Sequence, residues 1–236
     1  MTDTRAPLSP NPDPKPELPP HEAPFNVPVV ALVLPAVLIA GFAWAAASGR
    51  QNQIDLIESF GLNPVTVRSG GWDLLFTYMF LHGSWPGLLV NAAFILVCGA
   101  SLARHMGRRL TAVTSYLAFF IICGVAAGLA YCLLHPFDNI TVIGASGAMC
   151  GLLGAAIRLP LFGDTTGRIK GLIHPQVIAM TVFLCFYSLL TAVTHSGGQQ
   201  PRLEMAWEAH LAGYLVGLLL VEPWLKAFHR GHFTTS

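Results

Sequence analysis

The sequence predicts an all-α membrane protein: six transmembrane helices with both termini on the inner side, and a first loop partly embedded in the membrane. Three observations carry this. Of the 236 residues, 53% are hydrophobic and only 11% charged, against about 25% charged in soluble domains. Six apolar segments recur, at about 27–48, 84–103, 110–133, 146–159, 174–194 and 204–225, most of them near the ~20 residues that a spanning helix needs. The basic residues alternate in density between successive loops. A formal net charge of +1 points to no charged partner. The chain also lacks a phosphate-binding glycine loop, a metal-ligand spacing and a basic patch for nucleic acid. Neither cofactor nor metal is expected, and the partners expected are the lipid bilayer and proteins within it.

Residues 1–25 are rich in proline and poor in large apolar side chains, so they read as a disordered cytoplasmic tail. The membrane domain follows over 26–226, and 227–236 form a short cytoplasmic tail. The first apolar run, about 22 residues long, exceeds a signal-peptide core and has no adjoining basic stretch, so it reads as a retained helix. Residues 49–83 form a long connection with Trp72, Tyr78 and several Phe and Leu. Trp and Tyr favour the membrane interface, so short, partly embedded outer helices are expected here. The five cysteines all lie in apolar segments without ligand spacing and read as buried free thiols.

Orientation follows from the basic residues. With both ends inside, the inner side holds Arg5, Lys15, Arg104, Arg108, Arg109, Arg158, Arg168, Lys170, Lys226 and Arg230, ten of the 13 Lys and Arg. The outer side keeps Arg50, Arg68 and Arg202. The positive-inside rule favours this arrangement, and the compact six-helix form leads us to expect the chain in a bacterial inner membrane.

The stretch 141–155 then stands out. Gly144-Ala145-Ser146-Gly147 leads into an apolar helix with no charge before Arg158. A serine in the first turn faces the positive end of the helix dipole, where an oxyanion would be stabilised. On this stretch alone, close helix packing through Gly147, Gly151 and Gly154 is the simpler reading. Depth shifts the balance. Pro160 should end the helix near Leu159. Thirteen residues at 1.5 Å put Ser146 about 20 Å above the inner face, so about 10 Å below the outer one. His210, on an inward-running helix that starts near Leu203, comes to about 10 Å and Asn91 to about 12 Å below that same outer face. Packing does not require three polar residues on three inward-running helices to share one depth, and polar groups in a membrane are usually functional.

The chemistry that suits this set is acyl transfer. Ser146 would be the nucleophile and His210 its general base. Asn91 and the Ser146 N–H would donate to the oxyanion, with Gly144 and Gly147 keeping the space around the serine open. Glu208 points about 200° around the helix from His210, so a dyad is expected rather than a triad. Gly213 and Gly217 would let the His210 helix pack tightly on the Ser146 helix. His82 reads as a structural histidine of the long loop.

These residues resemble the rhomboid intramembrane serine proteases over about 25–226. The resemblance rests on Gly144-Ala145-Ser146-Gly147, on Ala209-His210-Leu211-Ala212-Gly213 continuing to Gly217, on His82 followed by Asn91, and on the six-helix order with its long first loop. It implies cleavage of single-pass membrane proteins near the outer leaflet. Three positions depart from the family pattern. Gly87 stands where a second oxyanion-supporting histidine is frequent, Asp73 follows Trp72 where an arginine is frequent, and Cys150 replaces an aromatic that supports the histidine ring. An alternative is therefore a weak or inactive rhomboid-like protein that binds membrane clients. A transporter fits less well, since paired repeats and mid-membrane carboxylates are missing.

Overall fold

The computed structural model describes residues 28–106, 110–160, 168–195, 206–228 and 234–235. The proline-rich tail 1–25, Arg108, Arg109, Arg202, Leu203, His229, Arg230 and His232 lie outside the described residues.

Each apolar segment of the sequence lies on a helix. Helix α1 spans Val29–Ala47, α5 Trp85–Met106, α6 Leu110–Leu134, α7 Ser146–Arg158, α8 Pro175–His195 and α9 Trp207–Phe228. Of these, α1, α5, α6 and α9 are long and apolar enough to cross a membrane. The chain is thus a multi-pass membrane protein. The long connection folds into short pieces, α2 (Arg50–Phe60), α3 (Pro64–Arg68), α4 (Leu74–Thr77) and a 3-10 turn at Tyr78–Phe80. Asn63 caps α3 by accepting the Thr66 N–H, and Pro64 takes the first helical position, where a missing N–H costs nothing.

Short α7 is the centre of the bundle, packed against α5, α6 and α9. Its sequence explains this, because a helix with Gly147, Gly151 and Gly154 on its surface admits other backbones. A methyl group at Gly213 would collide with the Gly147 carbonyl, one at Gly217 with the Gly151 carbonyl, and one at Gly154 with the Tyr214 carbonyl. Both helices of this crossing need their glycines. The core around it is aromatic, with Tyr116, Phe119 and Phe120 fully buried.

Helix α8 packs chiefly on α9 and α7, tied by Thr181 Oγ1 to the Tyr214 hydroxyl at 2.9 Å. Its other faces stay apolar and exposed at Val182, Phe183, Phe186 and Leu189, as lipid contact requires. One cysteine departs from expectation here. Cys98, Cys123, Cys132 and Cys150 are buried free thiols, but Cys185 is exposed, because it lies on this sparsely packed helix. At the other end of α7, buried Arg158 donates to Lys170 O at 2.8 Å, Leu218 O at 3.0 Å and Glu222 Oε2 at 2.5 Å. Beside it, strand β1 (Arg168–Ile169) pairs in parallel with β2 (Thr234–Thr235).

Candidate active site

Ser146 is the first residue of α7. The approach to it is held from outside the helix. Leu62 and Val142 exchange two backbone hydrogen bonds of 2.9 Å, and the Gly144 N–H donates to Tyr78 O at 2.9 Å. The long first loop therefore sets the height of the serine loop. Gly144 has φ +119°, a conformation that L side chains rarely adopt. It turns the chain into the helix so that the Ser146 side chain leaves the first turn, beside unpaired N–H groups.

His210 sits in the first turn of α9. Its Nε2 lies 2.7 Å from Ser146 Oγ, a short hydrogen bond between residues 64 apart in sequence. The glycine crossing of α7 and α9 makes this possible, since Gly213 rests on the Gly147 carbonyl. Ser146 and His210 are both half-buried, so the pair is neither sealed nor open to bulk water.

Asn91 is buried on α5. A methyl group at Gly144 would lie 3.9 Å from both Asn91 Nδ2 and Ser146 Oγ. The amide and the hydroxyl therefore flank one small space, kept free by that glycine. Gly147 serves the packing instead, because a methyl there would press 2.7 Å from the Ala127 methyl. The structure thus brings together Ser146, His210, Asn91 and Gly144, and leaves Gly147 behind them at the helix contact.

Two features were not legible beforehand. His82 is buried and its Nε2 meets Asn91 Nδ2 at 3.1 Å. Tyr78 is also buried, with its hydroxyl donating to Gly124 O at 2.7 Å. Both belong to an irregular loop, where no periodicity tells which way a side chain turns. In the loop after α6, His135 joins Asp138 Oδ2 through Nδ1 and Glu208 Oε1 through Nε2, each at 3.0 Å. Partial burial lowers the His135 pKa, but the two carboxylates outweigh it and the net shift is upward. Glu208 is thereby turned away from His210, and among the described residues no carboxylate hydrogen-bonds to that imidazole.

Such an arrangement can accept a hydroxyl proton on an imidazole and hold negative charge beside an amide and a helix N-terminus. Comparison with known proteins bears on which chemistry this serves. Residues 69–226 match the family described as the Rhomboid domain. The chain is similar to "RHOMBOID-like protein 5" of Arabidopsis thaliana, 25% identical over 92% of this chain and 76% of that protein. It is also similar to the "Putative rhomboid protease YdcA" of Bacillus subtilis (strain 168), 28% identical over 70% of this chain and 72% of that protein. "Rhomboid-like protease 5" of Toxoplasma gondii is 28% identical over 64% of this chain and 16% of its own length.

Proposed function

The chain belongs to the rhomboid family, and from that premise we propose that it is an intramembrane serine protease working through a Ser146–His210 dyad. The observation that carries this reading is the 2.7 Å contact between His210 Nε2 and Ser146 Oγ. Ser146 Oγ attacks the scissile carbonyl carbon while its proton passes to Nε2 of His210. The resulting oxyanion takes hydrogen bonds from the Ser146 N–H and Asn91 Nδ2 in the space beside Gly144. Collapse breaks the C–N bond, and His210 returns the proton to the leaving amine. Water, deprotonated by the same imidazole, then releases the acyl group.

The substrate class is a single-pass transmembrane protein, cut near the outer leaflet of a bacterial inner membrane. In this reading the chain has six spans with both termini inside, an arrangement supported by the excess of Lys and Arg that then lies on one side. The domain runs over 26–226, flanked by cytoplasmic tails at 1–25 and 227–236.

A second reading draws on Gly87, which offers no side-chain donor near Asn91: a weak or inactive rhomboid-like protein that binds membrane clients. One experiment separates the two. The purified protein is treated with a fluorophosphonate and, in parallel, given a transmembrane reporter in liposomes. Labelling of Ser146 that requires His210, with cleavage lost to background in S146A and H210A, is expected. An unlabelled parent chain would leave the client-binding reading.

A further inference from the structure

We infer that His82 is a positioning residue for the proposed oxyanion site: it fixes the amide of Asn91 by accepting one of its two N–H groups. The inference rests on the protease reading above and goes beyond it, assigning a task to a loop histidine outside the dyad.

The contact is 3.1 Å from His82 Nε2 to Asn91 Nδ2. An amide nitrogen can only donate, so the ring nitrogen facing it must be the unprotonated acceptor. With Asn91 as donor, the proton of His82 sits on Nδ1, which is buried and meets no hydrogen-bond partner among the described residues. The contact also fixes the rotation of the Asn91 amide, which has two donors on one nitrogen. One is held by His82, and the other projects at about 120° from it, the ordinary angle of a planar NH₂ group. The open volume near Asn91 Nδ2 is the space left by Gly144, whose absent methyl would lie 3.9 Å from that nitrogen and from Ser146 Oγ.

An unheld asparagine would rotate freely, and half of its orientations would point the carbonyl oxygen at a developing negative charge. A donor helps catalysis only if it is aimed before the charge appears. Both side chains are buried, His82 8% and Asn91 8% exposed, so water does not compete strongly for the bond. Packing alone does not hold the ring, because a cavity of about 200 Å³ borders His82, between α1, α2 and the turn at Phe80. The point is sharper here because Gly87, one turn before Asn91 on α5, supplies no second side-chain donor. Asn91 then carries the side-chain share of the task alone.

The test is a double-mutant cycle on the full-length protein in liposomes, with kcat and KM measured on a transmembrane reporter. H82L has no acceptor, whereas the Oε1 of H82Q can reach the place of Nε2. N91A should lower kcat by ~10²-fold, the lower end for loss of one oxyanion donor. H82L should lower kcat about tenfold or more with KM little changed, since only transition-state binding is lost. H82Q should recover most of that loss. In the N91A background H82L should cost less than about twofold, because there is no amide left to aim. H82L with parental kcat, or a loss that is additive with N91A, overturns the inference while leaving the dyad intact. A parent chain with no cleavage and no Ser146 labelling overturns both.

Discussion

Gly87 and Gly144 show how single residues divide the work of the site. A methyl at Gly87 would meet only Ser84 Oγ, at 3.4 Å, so the position has room for a side chain. It also lies four residues before Asn91, on the same face of α5. G87H should therefore place an imidazole beside the Asn91 amide. One such donor is typically worth ~10²–10³ in rate when removed from an evolved site. In a frame not built for it, a rise of about tenfold in kcat is expected. The check is reporter cleavage by G87H against the parent, with S146A in the same background as the zero. No rise, with the fold intact by thermal unfolding, would mean that the oxyanion does not form near that turn. Gly144 has no such latitude, since its φ of +119° strains any L side chain.

At the scale of elements, the crossing of α7 and α9 decides whether the dyad exists. His210 and Ser146 each occupy a first turn, and their helices touch backbone to backbone at Gly213 and Gly217. A methyl at Gly217 would overlap the Gly151 carbonyl, which is rigid helix backbone and cannot step aside. G217A must push the helices apart. The expected cost is about 1–3 kcal/mol of stability, as for other overpacked cores. Separation should also lengthen the Ser146–His210 bond, so Ser146 labelling by a fluorophosphonate should slow by more than tenfold. Thermal unfolding in detergent and labelling rate together check this. A variant with normal melting and normal labelling would show that the contact has slack. On the other side, α8 rests mainly on α9, where Thr181 Oγ1 meets the Tyr214 hydroxyl.

Across the whole molecule, the loop 135–145 is a bridge between distant parts. It pairs with the first loop through Leu62 and Val142 and through Asn63 Nδ2 to Asn139 Oδ1 at 2.9 Å. It reaches the start of α9 through His135 and Glu208, and it carries Gly144 into the site. The facing groups of His135 are Asp138, Glu208 and the ring of Tyr131. Its pKa is raised in the folded protein, so folding is linked to proton uptake. The stabilisation is then fully present below the unfolded value of about 6.5 and fades as pH rises through the higher folded value. The melting temperature of the parent should exceed that of H135Q near the unfolded value of about 6.5, and the difference should shrink as pH rises above it. Salt should weaken it, as the cluster is partly exposed. A difference independent of pH would remove the ionic account.

The positions of the apolar segments were legible because a membrane helix needs little more than length, apolarity and a stop. Pro160 shows this: α7 ends at Arg158 and Leu159 is already extended. The meeting of Ser146 and His210 was foreshadowed too, since rise per residue predicts one depth for them and glycines mark where two helices can touch. What stayed hidden lay in irregular backbone or in side-chain direction. Cys185 has the same apolar neighbours in sequence as the buried cysteines, and only the sparse packing of α8 exposes it. His82 precedes its helix by a loop, so no period relates it to Asn91. The sequence by itself thus determined a membrane bundle and where its apolar helices run, because both follow from periodic local geometry. Only the tertiary structure decided that His82 grips Asn91, that His135 takes Glu208, and that the first loop sets the height of Gly144. Those contacts join residues across non-repeating turns, where the direction of a side chain depends on everything packed around it.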